Sequence, residues 1–265
     1  MSDTGPLLAR RAGFLRDLGS VALRAVRLTR RDAEAVVPGL VVPLFFLIIN
    51  IGSLQSFVEG NLPPGFDFKA FQLPVSIIFA VTGISRAGSL VIDVQDGYLD
   101  RLLLTPVARP TLLLGLMVAD LAVITLMCVP VVILGAVLGV WFETGVLGML
   151  VFLAIGISWG IAFTGFPYAI ALKTGNPIAV NNAFLLFFPF AFLTTAYVPQ
   201  EQMTGWLATV ADWNPVTYLL AGMRALLMTG WDGDAILKAF LASGIVAAIS
   251  FTLAFTALRG RVRHK

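Results

Sequence analysis

Cysteine occurs once in this chain, as Cys128, and histidine once, as His264. A single thiol inside an apolar run excludes an intrachain disulfide and a thiol-based metal cluster, so Cys128 reads as a small packing residue. A single histidine in the tail excludes an HExxH zinc site and a Ser/His/Asp set, and no GxxxxGK[ST] phosphate loop is present. No bond-making chemistry is visible: the chain is expected to be no enzyme, and to move or bind something without hydrolysing nucleotide itself. Charge is also scarce, at 12% against 58% hydrophobic residues, with a mean hydropathy of +0.91. That balance excludes an ordinary soluble domain. Runs such as VVPLFFLIINIGSL and VITLMCVPVVILGAVLGV do not alternate in polarity, which excludes a membrane β-barrel. What remains is an all-α, polytopic membrane protein.

The N-terminal stretch 10–32 is too charged for the apolar core of a signal peptide. Within it Phe14, Leu18, Val21, Ala22, Ala25 and Leu28 repeat at helical spacing, with Arg16, Arg24, Arg27 and Arg31 on the other side, the pattern of an amphipathic helix lying in the membrane interface. Six transmembrane helices are predicted after it, at about 36–57, 71–92, 111–140, 145–172, 178–197 and 235–258. Pro38, Pro43 and Pro130 are candidate bends. Gly135 with Gly139, and Gly156 with Gly160, stand at GxxxG spacing, which allows helices to approach closely. Between the fifth and sixth spans, 198–234 holds two apolar segments, TGWLATVADW and PVTYLLAGMRALLM, each too short to cross. They read as a re-entrant helical pair. Asn214 before Pro215 predicts a helix start with an asparagine cap, and Trp206, Trp213, Tyr218 and Trp231 suit the headgroup level.

Orientation follows from the basic residues. Arg10, Arg11, Arg16, Arg24, Arg27, Arg30 and Arg31 precede the first span, Arg101, Arg109 and Lys173 lie in two connections, and Arg259, Arg261, Arg263 and Lys265 follow the last span. All fall on one side, against Lys69, Arg224 and Lys238 on the other. The positive-inside rule puts both termini in the cytosol and the re-entrant pair outside. The chain divides into a cytosolic tail and interfacial helix (1–35), a transmembrane domain (36–258) and a basic tail (259–265).

The longest charged connection is 91–110, VIDVQDGYLDRLLLTPVARP. Asp93, Asp96 and Asp100 stand three and four residues apart, one acidic face on a helix, while Leu99, Leu102 and Leu103 supply an apolar one. Gly97 permits a sharp turn, and Pro106 and Pro110 stop the segment. Two readings stand: a solvated connector, or a helix that touches a partner. Arg86 and Asp120 are ionisable residues inside spans, each roughly 10–15 Å from the cytosolic end of neighbouring helices. They can pair as a structural element or line a substrate path.

The stretches DVQDGYLDRLLLTPVARPTLLLG, with AD following, and FPFAFLTTAYVPQEQMTGWLATVADWNPVTYLLAGMRALL together resemble the two signatures of ABC-2 type permeases, in particular the daunorubicin-resistance type of bacterial drug-exporter membrane subunits. The resemblance covers about 71–230. It implies that the loop between spans two and three is a coupling helix docking on an ATP-binding subunit, here through Asp93, Asp96, Gly97, Asp100, Arg101, Leu102, Thr105 and Pro106. The extracellular re-entrant segment of that family matches here at Trp206, Asn214, Pro215 and Arg224. One departure is Thr204-Gly205, where the family more often has proline-glycine. The resemblance further implies a bacterial cell-membrane permease that exports a drug-like molecule or lipid, paired with a second permease copy or homologue. Two ATPase subunits would bind ATP and Mg, membrane lipids would surround the complex, and no nucleic acid would take part. A lipid-linked glycoconjugate exporter is the close alternative. An ion-coupled secondary transporter would place paired carboxylates in repeated halves, which the sequence does not contain, and a non-transporting membrane scaffold is a further rival.

Overall fold

The computed structural model describes residues 33–97 and 109–263. The expected interfacial helix at 14–28, the residues Asp100, Arg101, Leu102, Thr105 and Pro106, and His264 lie outside the described residues. Among those described, all regular structure is helical: α1 (Ala33–Asn61), α2 (Phe68–Val81), α3 (Ala87–Gln95), α4 (Arg109–Val137), α5 (Gly145–Thr174), α6 (Pro177–Asn182), α7 (Phe187–Phe192), α8 (Trp206–Trp213), α9 (Pro215–Met228) and α10 (Gly233–Arg263). Four helical stretches are long and apolar enough to cross a membrane: Gly39–Asn61, Leu113–Val137, Gly145–Thr174 and Gly233–Gly260. They coincide with the first, third, fourth and sixth predicted spans. The protein is a multi-pass membrane protein.

The second and fifth predicted spans are each divided. An uninterrupted helix over 71–92 is replaced by α2 and α3 with a non-helical break between them, and 178–197 becomes α6, a 3₁₀ turn (Ala183–Leu186) and α7. Both interruptions have a local cause. Thr82 bonds its own preceding turn through Oγ1 to the Ile78 carbonyl, and Gly83 takes a left-handed φ of +88°. In the fifth segment Asn176 caps α6 through the Ile178 amide, and helical bonding loosens after a single turn.

α5 is the hub, packing against α2, α3, α4, α6, α9 and α10. Its small residues make this possible. A Cβ on Gly156 would lie 2.6 Å from Ile77 Cγ2, and one on Gly165 would lie 2.5 Å from the Ser250 carbonyl carbon of α10. In an apolar solvent, where helices gain nothing by hiding apolar side chains from lipid, such close backbone contact is a main source of association. The second GxxxG pair therefore acts as the spacing predicts. In the first pair only Gly135 sits in a tight contact, against Leu73, whereas Gly139 lies past the end of α4 in the left-handed conformation. Two buried clusters result: one around Trp159, Phe187 and Leu219, the other around Tyr168, Leu113 and Leu258. Outward faces stay apolar, as at Phe45, Ile48 and Ile49 of α1 and Ile245 and Ile249 of α10, the pattern expected of surfaces solvated by acyl chains.

Connections sort onto two ends of the bundle. At one end Gln95 Nε2 donates to the Gly175 carbonyl (3.0 Å), joining the end of α3 to the turn between α5 and α6. At the other, Lys69 Nζ donates to Leu138 O (3.3 Å) and Thr144 Oγ1 to Leu226 O (2.8 Å), joining the α1–α2 and α4–α5 connections to α9.

Candidate functional site

The break between α2 and α3 frees backbone groups inside the bundle, and side chains from α4 and from the break itself take up two of the amides. Arg86 precedes α3 as its cap residue, and its backbone N–H donates to Asp120 Oδ1 on α4 (2.9 Å). Asp120 Oδ2 accepts the Tyr168 hydroxyl from α5 (2.5 Å). Trp159 Nε1 donates to Thr82 Oγ1 (2.9 Å), and Ser85 Oγ accepts the Ala87 amide (3.1 Å). Asp120 is 1% exposed and Tyr168 fully buried. A carboxylate is tolerated at such depth only when donors surround it, and here a main-chain amide, a phenol and the nearby charge of Arg86 do so. Arg86 and Asp120 do meet, as the sequence allows, but the direct bond to the carboxylate runs through the Arg86 amide. Tyr168, Ser85 and Thr82 were missed by sequence reasoning. The turn signal Thr82-Gly83 followed by Ser85, inside an otherwise apolar run, marks the place.

Beside the break lies a cavity of about 540 Å³. Thr82, Ser85, Arg86 and Ser89 at the break, Asp120 of α4 and Asn181 of α6 are its polar lining. Val42 and Pro43 of α1, Phe79, Met127 of α4, Phe163 of α5 and Phe184 supply an apolar remainder. Such a lining suits a molecule with one polar end and an apolar body, the usual composition of a small-molecule site. At Gly83 a Cβ would lie 2.6 Å from the Phe184 ring, so the break is packed directly against the divided fifth segment.

At the opposite end, three side chains hold a stretch of irregular backbone at 193–198. Asn214 Oδ1 caps α9 by accepting the Val216 amide (3.0 Å), with Pro215 in the first turn as predicted. The same side chain donates through Nδ2 to the carbonyls of Phe190 (2.9 Å) and Leu193 (2.8 Å), closing the end of α7. Gln72 Nε2 of α2 donates to Ala196 O (3.1 Å). Arg224 donates through Nε to Phe71 O (3.1 Å), and through Nη1 and Nη2 to Thr195 Oγ1 (3.1 Å) and Thr195 O (2.9 Å). Its Cζ stands 3.4 Å from the centroid of the Phe71 ring. Arg224 is thus committed to carbonyls, a hydroxyl and a ring face, with the charge of Glu201 also acting on it. Water does not reach such backbone in a bilayer, so these donors are what allows it to be irregular. Trp206 is 70% exposed and Trp213 86% exposed.

Toward the other end, Asp93 lies in α3 and Asp96 caps it, so the acidic face begins on a helix continuous with the break at Arg86. Gly97 follows with φ +67°, the sharp turn its residue type permits.

Comparison with known proteins agrees with this layout. The family model described as ABC-2 type transporter matches residues 17–228. The chain is similar to the probable doxorubicin resistance ABC transporter permease protein DrrC of Mycobacterium tuberculosis (strain ATCC 25618 / H37Rv), at 29% identity over 207 residues, covering 76% of this chain and 72% of that protein. It is also similar to the daunorubicin resistance ABC transporter permease protein DrrB1 of Streptomyces coeruleorubidus, at 26% identity over 236 residues, covering 86% and 81%. A third relative is the putative transport permease ycf38 of Cyanophora paradoxa, at 27% identity over 224 residues, covering 80% and 74%. With 17–228 spanning both the broken second segment and the capped pair α8 and α9, the chain belongs to the ABC-2 type transporter family.

Proposed function

We propose that this chain is the permease subunit of an ATP-driven exporter that moves an amphiphilic, drug-like or lipid molecule out of the cytosol or inner leaflet of a bacterial cell membrane. The observation that carries this reading is the cavity at the α2–α3 break, which combines a polar lining around Ser85, Arg86, Ser89 and Asp120 with an apolar one from Val42, Phe79, Met127 and Phe163. The names of the relatives support a drug-like cargo. Two permease copies or homologues work with two separate ATPase subunits, which bind ATP and Mg. Six crossings follow if α2 with α3, and α6 with α7, each traverse the bilayer as a broken span, and the two-ended sorting of the connections supports that count. The termini and 93–110 are then cytosolic, and α8 with α9 form the outer re-entrant pair, with Arg224 and Asn214 sealing it. Asp93, Asp96, Gly97, Asp100, Arg101, Leu102, Thr105 and Pro106 contact the ATPase. Because α3 carries Asp93, ends at Asp96 and starts next to Arg86, a movement at its acidic end is transmitted along the helix to the cavity.

The test is transport. Inside-out vesicles from cells expressing the chain with a partner ABC ATPase are expected to accumulate a fluorescent cationic amphiphile when ATP is added. Accumulation driven by a proton or sodium gradient without ATP would overturn the reading.

A further inference from the structure

A second cavity, of about 720 Å³, lies on the other side of Phe163 and is not part of the site at the α2–α3 break. Its floor is Trp159 and Phe163 of α5, which are 1% and 2% exposed, and its walls include Phe190 of α7 and Ala242, Ile245 and Ile249 on one face of α10. Only its mouth is polar: Lys238 stands there beside Tyr218 and Trp213. Lys238 Nζ lies 2.6 Å from Asp234 Oδ2, both side chains are largely exposed, and Asp232 also acts on the lysine. From Lys238 to Ile249 the helix rises roughly 16 Å, close to the depth of one leaflet, about 15 Å.

These features select an occupant. The length and lining suit one acyl chain laid along α10, and the aromatic residues Trp213 and Tyr218 put the mouth at headgroup level. Lys238 lines the mouth and pairs with Asp234, and Asp232 stands next to them, its carboxylate accepting the Asp234 and Ala235 amides at the start of α10. A head group with a net negative charge gains at Lys238 and loses at both carboxylates, whereas a head group carrying phosphate and ammonium side by side meets each with its opposite. We propose that the groove binds a single phospholipid with a primary-ammonium head group, its phosphate at Lys238, its ammonium at Asp234 and one chain over Trp159. The site is independent of the export reading, because it requires neither ATP nor cargo.

Trp159 supplies the measurement. The chain has five tryptophans, and replacing Trp141, Trp206, Trp213 and Trp231 by phenylalanine leaves Trp159 as the sole emitter. The full chain is reconstituted in vesicles doped with phosphatidylethanolamine or phosphatidylglycerol brominated at mid-chain. Bromine on a chain within the groove quenches Trp159, and half-quenching is expected at about fivefold less phosphatidylethanolamine than phosphatidylglycerol, as one favourable charge contact at a membrane surface implies. Ala242→Phe fills the groove and should abolish the quenching. Asp234→Asn changes only an exposed side chain, folds whether or not the filled variant does, and should remove the preference, because the ammonium contact is the one phosphatidylglycerol lacks. Absence of quenching in both lipids, equal quenching by the two lipids, or a preference that Asp234→Asn leaves unchanged overturns the proposal.

Discussion

Asn214 gives the most exact expectation, because its side chain performs two separable tasks. Its Oδ1 caps α9, and its Nδ2 donates to the carbonyls of Phe190 and Leu193. Asn214→Ala removes both. A lost cap costs about 1 kcal/mol, and each buried carbonyl left without a donor costs about 1–3 kcal/mol. The total is about 3–5 kcal/mol once imperfect additivity is allowed for. At roughly 2–4 °C per kcal/mol, the unfolding midpoint in detergent should fall by roughly 6–20 °C. Asn214→Asp separates the tasks. Aspartate caps as well as asparagine does, but it has no donor, and its second oxygen would stand against both carbonyls. Asn214→Asp should therefore lose about 2–5 kcal/mol, comparable to alanine. Thermal unfolding of the three proteins, followed by tryptophan fluorescence in one detergent at neutral pH, decides the matter. A wild-type midpoint in Asn214→Asp would reduce the residue to a helix cap and refute the reasoning.

Further predictions follow the same accounting. Asp120→Ala removes the acceptor of the Arg86 amide and the charged acceptor of the Tyr168 hydroxyl and should cost about 2–4 kcal/mol; adding Tyr168→Phe should cost little more, because the shared bond is already gone, whereas Arg86→Ala keeps its amide bond and should couple more weakly to Asp120→Ala. Double-mutant cycles on detergent stability measure both, and strict additivity of the Asp120/Tyr168 pair would contradict the geometry. Gly165→Val forces α5 off the Ser250 backbone and disturbs the Ser250 Oγ bond to Ala162 O, for a loss of about 2–4 kcal/mol, while Gly244→Ala, which meets nothing within 4 Å, should be neutral or slightly stabilising on the same assay. With Cys128→Ser as background, cysteines at Gln202 and Thr229 should react with an impermeant thiol reagent in intact cells and one at Thr209 more slowly; reaction at Gln202 or Thr229 only after lysis would invert the topology.

Much of this architecture is legible in the sequence, and what is not has a physical cause. The four long apolar helices, the capped start of α9 at Asn214 and the close contact at Gly156 follow from run length, cap chemistry and small-residue spacing. The breaks in the second and fifth segments do not register as loss of hydrophobicity. Their exposed backbone is satisfied by tertiary partners: Asp120 takes the Arg86 amide, and Gln72, Asn214 and Arg224 take carbonyls at 190–196. Periodicity along one segment contains no information about donors arriving from another. For the same reason Arg224 reads from sequence as a charge seeking an acid or a substrate, whereas in the fold its planar fork is filled by Phe71 O, Thr195 Oγ1 and Thr195 O. Asp120 was visible as a costly residue, but its phenol partner Tyr168, 48 residues away, was not.

The claim that a separate ATPase drives this permease through 93–110 is tested most directly by ATP hydrolysis in a reconstituted complex. The chain is co-expressed and co-purified with a phosphate-loop ABC ATPase, and hydrolysis is measured in lipid vesicles for wild type, Gly97→Val and Asp100→Arg. Gly97 holds φ +67°, a conformation that valine adopts only with strain, so the turn out of α3 should be lost while the transmembrane bundle is kept. The account predicts that wild type carries the ATPase through purification and stimulates it by the amphiphilic cargo, and that both variants insert normally but lose association or stimulation. Wild-type association and hydrolysis in both variants would contradict it.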